Sequence, residues 1–308
     1  MIEKPIADLL DAMGAQALPC IYNEPLNRHT TFKIGGPAAV FCKPRTVVEL
    51  TRTLELCRQT GVRTYLLGNG SNTLFADEGF AGAVICLTDL KTQATAEKQS
   101  DGSTRLTASA GSLLVSVCNR ALDLDLTGLE FAFGIPGTVG GAVYMNAGAY
   151  GGEMKDALDR VTFLDENLKL RTLPANQLAL GYRTSIFEKQ SWCILEAELV
   201  LQPGIHEEIN AKMQDYMSRR REKQPLDLPS AGSTFKRPAG CFAGQLIEQC
   251  GLRGFSVGGA AVSQKHCGFV VNLGGATCAD VVELTDKVRA IVQEKTGHVL
   301  EREIRVVR

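Results

Sequence analysis

Residues 134–152 have the sequence GIPGTVGGAVYMNAGAYGG, in which seven residues are glycine and most of the others are small. Glycine has no Cβ, so such a segment can lie close against a planar or phosphate-bearing ligand. A tightly packed system of turns would have the same composition, so both interpretations remain open. No G-x-G-x-x-G opens a helix after a strand, and no G-K-[ST] follows, so neither a Rossmann fingerprint nor a Walker A loop is present.

A second glycine-containing loop precedes this segment. Residues 63–68 (RTYLLG) are predicted to form a short buried strand, which leads into the polar loop GNGSN at 68–72. Successive backbone N–H groups in such a loop can bind a phosphate, and Ser and Asn side chains add further donors. A plain turn is the alternative, because these are also turn residues. If a dinucleotide binds to this chain, these two loops would hold it in a non-Rossmann manner.

The surrounding sequence alternates between helical and extended patterns. Thr46 and Glu49 predict a capping box for the first of these helices, and Gly61 predicts its end. Ser112 is expected to cap the next helix. The patterns predict helices over 46–60, 112–124, 206–224, 243–250 and 277–296, strands over 63–68, 81–87, 104–110, 192–201, 268–273 and 299–307, and a hairpin over 159–173.

The bulk composition is that of an ordinary globular protein. The chain has 308 residues, a formal net charge of -1, 44% hydrophobic residues and 22% charged residues. Such a length suits two or three domains, and Pro203-Gly204 favours a boundary within 203–225. The small net charge gives no indication of a nucleic-acid or membrane partner. The N-terminal residues lack the organisation of a signal peptide, so a cytoplasmic location is expected.

Ten cysteines occur at positions that do not form a metal-binding spacing such as C-x-x-C. We therefore expect no metal site and interpret most of the cysteines as buried free thiols in a reducing compartment. Cys241 and Cys267 lie in glycine-containing loops, which leaves a catalytic thiol as a minor alternative there.

Six segments, taken in chain order, resemble the motifs of the UDP-N-acetylenolpyruvoylglucosamine reductase family. Together they span nearly the whole chain, and the length is similar to the shorter, second type of that enzyme. The segments are NRHTTFKIGGPA (27–38), GNGSNTL (68–74), GIPGTVGGAVYMNAGAYG (134–151), GYRTSIF (181–187), AGSTFKRP (231–238) and LEREIRVV (300–307).

The resemblance implies an α+β protein with an FAD-binding fold of the vanillyl-alcohol-oxidase/p-cresol-methylhydroxylase (PCMH) type and a C-terminal α+β substrate-binding domain. The expected domains are FAD-binding subdomain 1 (1–88), FAD-binding subdomain 2 (89–203) and the substrate-binding domain (204–308), whose final strand returns to the active site. We expect non-covalent FAD, because the 68–72 loop offers no histidine, and we expect His29 to make a structural hydrogen bond.

The resemblance also implies which residues bind FAD. The 68–72 loop would bind the pyrophosphate, and 134–141 would lie nearer the flavin. The implied cofactor-binding residues are Gly35, Gly68, Asn69, Gly70, Ser71, Asn72, Gly111, Gly134, Ile135, Pro136, Gly137, Thr138, Gly140, Gly141, Asn146, Ala147 and Gly148.

The implied reaction is reduction of an enolpyruvyl ether on UDP-N-acetylglucosamine, with NADPH as the reductant. Arg183 matches the motif arginine that would bind the substrate carboxylate, and Ser233 matches the proton donor. Glu303 matches the glutamate that would polarise the enolpyruvyl group or relay the proton. Glu301 is its rival, because residues two apart on a strand share a face.

A basic group is expected to hold the substrate diphosphate, whereas Arg219, Arg220 and Arg221 are interpreted as a solvated helix face. The implied substrate-binding residues are Tyr182, Lys223, Lys236, Arg237 and Lys265. We expect a monomer that acts in peptidoglycan precursor synthesis, and through it in cell shape, the cell cycle and cell division. The alternatives are another PCMH-type flavoprotein oxidase and a non-catalytic flavin or nucleotide-sugar binding protein.

Overall fold

The computed structural model describes residues 3–90 and 93–308. Within that part of the chain the α-helices are α1 (Lys4–Ala15), α2 (Val47–Thr60), α3 (Leu114–Asp123), α4 (Val139–Tyr144), α5 (His206–Lys223), α6 (Ala243–Gln249) and α7 (Cys278–Thr296). Single turns of 3₁₀ helix lie at Leu26–Arg28, Leu87–Asp89, Glu130–Ala132, Met154–Asp156, Ala175–Gln177 and Ile186–Glu188.

The strands form several sheets. They are β1 (Cys20–Pro25), β2 (Pro37–Cys42), β3 (Thr64–Leu67), β4 (Thr73–Phe75), β5 (Phe80–Cys86), β6 (Thr95–Lys98), β7 (Thr104–Ser109), β8 (Leu126–Thr127), β9 (Gly148–Ala149), β10 (Gly152–Glu153), β11 (Leu158–Leu164), β12 (Leu170–Pro174), β13 (Cys193–Pro203), β14 (Ser230–Ser233), β15 (Ser256–Val257), β16 (Ala260–Val262), β17 (Phe269–Asn272) and β18 (Arg305–Val307).

The chain divides into two compact units, each assembled from separate stretches of sequence. Unit 1 comprises Met1–Ile21, Val40–Asn69 and Ala83–Arg220, and unit 2 comprises Tyr22–Ala39, Gly70–Gly82 and Arg221–Arg308. This division differs from the three consecutive segments predicted from the sequence. One physical reason is that Ile209 and Met213 of α5 pack into the core of unit 1, so most of that helix belongs with the residues before it. The three-domain division stays a prediction.

Unit 1 contains an antiparallel sheet in the order β12-β11-β13-β7-β6, with β8 paired to the end of β13. Strand β13 alternates buried and more exposed residues over most of its length, as a half-buried strand must. Phe163 stacks on Trp192 at 4.6 Å between ring centroids. Helices α3 and α4 contribute Val117 and Val143 to the same core, so the glycine-rich segment is built against this sheet.

Unit 1 also holds α1, α2 and the parallel pair β3–β5, in which Thr64 lies opposite Ala83. The Thr46 hydroxyl accepts a hydrogen bond from the N–H of Glu49, and Gly61 ends α2 in a left-handed conformation at φ 71°. The predicted cap at Thr46 and the predicted end at Gly61 are therefore confirmed. The Glu49 carboxylate accepts from the N–H of Arg45, so the second half of the predicted capping box is not formed on Thr46.

Unit 2 is built around the sheet β14-β17-β16-β15 and helices α6 and α7. Thr277 and Asp280 cap α7 reciprocally, and Gly297 ends it at φ 74°. Strand β18 runs parallel to β4, with Val306 opposite Leu74. This pairing places the C-terminal segment directly beside the strand that follows the 68–72 loop.

Two element predictions are wrong in detail. Ser112 does not cap α3, because its hydroxyl lies 2.9 Å from that of Ser109, and Leu113 occupies the cap position without a side-chain hydrogen bond. The final strand covers only 305–307. Before it, Arg302 makes a single bridge with Phe235, and this contact replaces the regular ladder that the alternating sequence predicted. Among the described residues, no helix is long and apolar enough to cross a membrane.

Candidate active site

Gly68 and Asn69 of the first loop contact the second glycine-containing segment within unit 1. The side-chain amide of Asn69 donates a hydrogen bond to the carbonyl oxygen of Pro136 at 2.7 Å. A Cβ on Gly68 would lie 2.5 Å from the Thr138 hydroxyl oxygen, which is closer than real Cβ atoms approach other atoms. Glycine at 68 is therefore required for the close approach of Gly68 and Asn69 to residues 136–138 of the second segment.

Backbone donors in the 68–72 loop lack protein partners. Within the described part of the chain, the N–H groups of Asn69, Gly70 and Ser71 donate no hydrogen bond. Gly70 is nonetheless buried and has φ 61°. Buried backbone N–H groups without a partner are rare in proteins, and consecutive ones form a concavity that suits an anion. This loop therefore fits the pyrophosphate of FAD.

Several other glycines serve the packing of the protein itself. A Cβ on Gly140 would lie 2.8 Å from that of Ala110, and one on Gly111 would lie 1.9 Å from the Leu87 carbonyl oxygen. A Cβ on Gly148 would meet the Gly152 carbonyl oxygen at 2.6 Å. The packed-turn interpretation thus explains these positions, and contacts of FAD with the predicted cofactor residues stay predictions.

Arg183 has an unusual backbone conformation. The N–H of Gly181 donates to the carbonyl of Thr184 at 3.1 Å and the reverse bond measures 3.3 Å, so Tyr182 and Arg183 form a two-residue turn. Arg183 has φ 56°, a conformation that residues other than glycine, asparagine and aspartate rarely adopt. Type II turns favour glycine at this position. Eight other described residues that are not glycine also have positive φ, so this conformation agrees with the motif-based choice of Arg183 and does not by itself select it.

The Arg183 guanidinium lies against the second glycine segment. Its Nη2 donates to the carbonyl oxygen of Gly148 at 3.0 Å, and its Cζ lies 5.2 Å from the centre of the half-exposed Tyr182 ring. Asn146, also in this segment, is fully buried and bonds through its side chain to Glu153, Lys155 and Gly181. The side chain of Asn146 therefore faces the protein.

Ser233 and Glu303 come together in unit 2. Ser233 is exposed at the end of β14, directly before the buried Thr234. The N–H of Glu303 donates to the carbonyl oxygen of Thr234 at 2.9 Å. The amide of Asn72 in turn donates to the carbonyl oxygen of Glu303 at 3.2 Å. Sequence positions 72, 233 and 303 thus converge on one region of unit 2.

Glu301 has a different environment from Glu303. Its side chain is 69% exposed, and its carboxylate lies 2.6 Å from the ammonium of Lys236. Glu301 and Glu303 flank Arg302, which forms an isolated antiparallel bridge with Phe235, so the expectation that the two glutamates share a face stays a prediction. The ion pair also uses the Lys236 ammonium, which was predicted to bind substrate.

The other predicted basic residues have varied contacts. The Lys265 ammonium donates to the carbonyl oxygen of Arg221 at 2.6 Å, the Arg237 guanidinium lies 4.4 Å from the centre of the Phe242 ring, and Lys223 is exposed. All of these belong to unit 2, whereas Arg183 and Tyr182 belong to unit 1. Convergence of the whole predicted set stays a prediction.

Arg220 was missed by the sequence analysis. The solvated-face interpretation holds for Arg219 and Arg221, which are exposed, but is wrong for Arg220, which is 9% exposed. A Cβ on Gly134 would lie 3.3 Å from the Arg220 Nε, so this guanidinium lies against the glycine-rich segment. Burial lowers the pKa of Arg220, and interaction with Tyr150 opposes the shift. The sequence contains one indication of this burial, because Arg220 lies seven residues after the core residue Met213, and residues seven apart on a helix share a face.

The thiols follow the expected pattern. Eight of the ten free cysteines are buried, and Cys20 and Cys241 are partly exposed. Burial raises the pKa of Cys118 and of Cys193 to about 12 and also raises the pKa of Cys267. A raised pKa lowers the thiolate fraction of Cys267, which argues against a catalytic thiol at that position. His29 makes the expected structural contact, with its Nε2 2.9 Å from the Glu24 carboxylate.

Family comparisons cover most of the chain. Residues 37–173 match the family described as "FAD binding domain". Residues 224–307 match the family described as "UDP-N-acetylenolpyruvoylglucosamine reductase, C-terminal domain". The first match contains both glycine loops, and the second contains Ser233 and Glu303.

Similar proteins extend the likeness to nearly full length. A UDP-N-acetylenolpyruvoylglucosamine reductase from Caldanaerobacter subterraneus subsp. tengcongensis is 48% identical over 285 residues, which covers 92% of each chain. One from Lachnoclostridium phytofermentans is 44% identical over 302 residues, covering 98% of this chain and 96% of the relative. The crystal structure of a UDP-N-acetylenolpyruvylglucosamine reductase from Thermus caldophilus matches with a TM-score of 0.78 and 35% identity, covering 94% of this chain and 99% of that one. These matches confirm the predicted α+β, FAD-binding fold.

Proposed function

Because the chain belongs to the UDP-N-acetylenolpyruvoylglucosamine reductase family, we propose that it reduces UDP-N-acetyl-3-O-(1-carboxyvinyl)-glucosamine to UDP-N-acetylmuramate. NADPH is the reductant, FAD is the cofactor, and the product is a precursor of peptidoglycan. The observation that best supports a catalytic role beyond FAD binding is that Arg183 is held in place, by a two-residue turn and by its hydrogen bond to Gly148.

FAD fits the loop surface described above. Asn69, Gly70 and Ser71 offer backbone N–H groups without protein partners among the described residues, and these would hold the pyrophosphate. The 134–141 segment is joined to that loop by the Asn69–Pro136 hydrogen bond and would lie nearer the flavin. The chemistry that FAD supplies when bound is hydride transfer from NADPH to the methylene carbon of the enolpyruvyl group.

Arg183 would bind the substrate carboxylate. Hydride addition to the methylene carbon pushes negative charge into that carboxylate as an enolate. A guanidinium stays charged and can donate two parallel hydrogen bonds to a carboxylate. A donor fixed before the reaction stabilises such charge more than a mobile one, since it need not reorganise. The turn at 181–184 and the bond to Gly148 hold Arg183 in this way.

Ser233 would donate the proton that completes the reaction. A serine hydroxyl is a poor acid, so its role needs a neighbouring group that stabilises the loss of its proton. Glu303 would polarise the enolpyruvyl group or relay that proton. The Glu303–Thr234 backbone hydrogen bond of 2.9 Å supports this pairing, because it fastens the glutamate to the residue that follows the serine.

Cations would bind the substrate diphosphate. Arg237, Lys223 and Lys265 remain the proposed residues, together with Tyr182, and Arg220 joins them because it is buried beside Gly134. Lys236 would have to leave Glu301 in order to contribute. An arginine that lies in a protected site binds phosphate oxygens through charge-assisted hydrogen bonds, which are stronger than neutral ones.

The cellular setting follows from the reaction and the thiols. We propose a cytoplasmic location, because ten cysteines without a disulfide suit a reducing compartment. We also propose that the protein is a monomer. Loss of the protein would deprive the cell wall of its muramic acid precursor and would thereby affect cell shape, the cell cycle and cell division.

Product analysis tests the proposal against the two alternatives. Purified protein with NADPH and the enolpyruvyl substrate should yield a UDP-sugar whose mass is greater by two hydrogen atoms, with one NADPH consumed per product. An oxidase of the same fold would consume oxygen without needing NADPH or the UDP-sugar. A binding protein would retain the UDP-sugar without oxidising NADPH.

A further inference from the structure

Tyr144, Asn146 and Gly148, which hydrogen-bond to the Arg183 turn and its flanks, lie in unit 1. We propose that Asn146, anchored by Glu153, is a positioning residue for Arg183, which it orients through the carbonyl of Gly181. The inference rests on the proposed function, because it gives Arg183 a substrate to bind. It assigns the Asn146 side chain to the substrate half of the reaction and not to retention of FAD.

Both polar atoms of the Asn146 side chain form hydrogen bonds within the protein. Its Nδ2 donates to the Glu153 carboxylate at 2.6 Å and to the Gly181 carbonyl oxygen at 3.0 Å. Its Oδ1 accepts from the N–H of Lys155 at 2.9 Å. The residue is 0% exposed and has φ 44°. Asparagine is one of the few residues that tolerate such a backbone conformation, so both its backbone and its amide suit this position.

The Gly181 carbonyl oxygen also closes the Arg183 turn. It accepts from the N–H of Thr184 at 3.3 Å as well as from Asn146. The Asn146 amide therefore grips the turn two residues before Arg183. Beyond the turn, the Ser185 hydroxyl donates to the Tyr144 carbonyl oxygen at 2.6 Å. The turn is thus fastened to residues 144–146 on both sides.

The Arg183 guanidinium also hydrogen-bonds to the segment that contains Asn146. Its Nη2 donates to the Gly148 carbonyl oxygen, two residues after Asn146. Backbone strain like that of Arg183 persists only when surrounding contacts over-determine the conformation. Asn146 supplies the buried side-chain contact that does so, and its loss would let the turn relax towards an unstrained φ. A shift of about 1 Å in a substrate-positioning group can cost on the order of 100-fold in rate.

The test separates the two half-reactions by anaerobic stopped flow. Asn146→Gly keeps the left-handed backbone accessible and removes all three side-chain hydrogen bonds. We expect its flavin reoxidation by the enolpyruvyl substrate to slow by about 10- to 100-fold, while FAD content and flavin reduction by NADPH change less than about twofold. Asn23→Gly is the matched control, because Asn23 also has positive φ but is exposed and makes no side-chain hydrogen bond within the described residues.

A reversed pair distinguishes positioning from a general loss of packing. In Asn146→Asp combined with Glu153→Gln, the glutamine amide can donate to the new carboxylate, so the contact between positions 146 and 153 is restored. The carboxylate cannot donate to Gly181, so the grip on the turn is not restored. We expect this double variant to recover the melting temperature lost by Asn146→Asp but not the rate of flavin reoxidation.

Three results would overturn the inference. They are reoxidation of Asn146→Gly at the wild-type rate, equal loss in both half-reactions, and recovery of reoxidation together with stability in the reversed pair. Failure of the proposed function is a separate outcome, because wild-type flavin would then be reduced by NADPH and not reoxidised by the enolpyruvyl substrate.

Discussion

The amide of Asn69 donates a 2.7 Å hydrogen bond to the carbonyl oxygen of Pro136, which lies 67 positions later in the chain. This bond joins the loop that offers backbone N–H donors to the glycine-rich segment. Asn69→Ala should therefore weaken FAD binding by about 2- to 10-fold, the effect of one hydrogen bond worth roughly 0.5–1.5 kcal/mol.

Calorimetric titration of the apoprotein with FAD measures this effect. Asn119→Ala is the control, since Asn119 is exposed on α3 and makes no side-chain hydrogen bond among the described residues. Equal FAD affinity for wild type and Asn69→Ala would contradict the bridging role.

Gly68 should tolerate no side chain while Thr138 keeps its hydroxyl. The added Cβ of Gly68→Ala would lie 2.5 Å from the Thr138 hydroxyl oxygen, and we expect a destabilisation of about 1–3 kcal/mol. Thr138→Ala in the same chain should remove most of this penalty in a double-mutant cycle of chemical denaturation. Additive effects would show that the two residues do not clash. Gly14→Ala in α1, where a Cβ meets no atom within 4 Å, should be neutral or stabilising.

Arg183→Gly should separate activity from stability. Glycine adopts φ 56° without strain, and a left-handed conformation costs other residues about 1–2 kcal/mol. We expect an unchanged or higher melting temperature with turnover lowered by at least about 100-fold. Ala179→Gly relieves a similar conformation, at φ 48° on an exposed residue, and should keep full turnover. A clear loss of melting temperature in Arg183→Gly would refute the account of strain.

Glu303 and Glu301 should differ sharply in steady-state assays. Glu303→Gln removes the proposed polarising or relaying group and should lower kcat by about 10²- to 10⁴-fold. Glu301→Gln removes only a surface ion pair with Lys236, which contributes about 0–1 kcal/mol, so its kcat should stay within about twofold of wild type. The reverse order of effects would assign the role to Glu301.

Alkaline stability should follow the buried thiols. Burial raises the pKa of Cys57, Cys118 and Cys193 to about 12, whereas unfolded thiols ionise near pH 8.5. Keeping these thiols protonated therefore stabilises the folded state in full below about pH 8.5. This contribution to stability is lost as the pH rises towards 12. The free energy of unfolding, measured in urea between about pH 7 and 10, should fall across this window. Cys118→Ser should weaken the pH dependence, and an unchanged slope would show that this thiol is not responsible.

The features that the sequence predicted correctly depend on contacts between residues that are close together in the chain. Thr46 and Gly61 fix the two ends of α2 through contacts within a few residues, and the hairpin of β11 and β12 follows from alternation around a short turn. Contacts between distant segments explain what it missed. Arg220 is buried beside Gly134, which is distant in the chain, and Arg302 before the final strand pairs with the distant Phe235.

The same distinction applies to the site. The glycine loops indicated a cofactor by composition, yet only the structure shows which glycines serve packing and which N–H groups are left without partners among the described residues. Arg183 and Ser233 are ordinary residue types, so residue chemistry alone could not select them. The conformation of Arg183 does not select it either, because eight other described residues that are not glycine also have positive φ, so its choice depends on the motif.

An anaerobic absorption spectrum of the purified protein tests the central claim most directly. We expect flavin bands that bleach when NADPH is added and return when the enolpyruvyl UDP-sugar follows, since the flavin then passes hydride to the substrate. Bleaching without return would contradict the substrate assignment while leaving FAD in place, and a protein without flavin bands that takes up no added FAD would contradict the account as a whole.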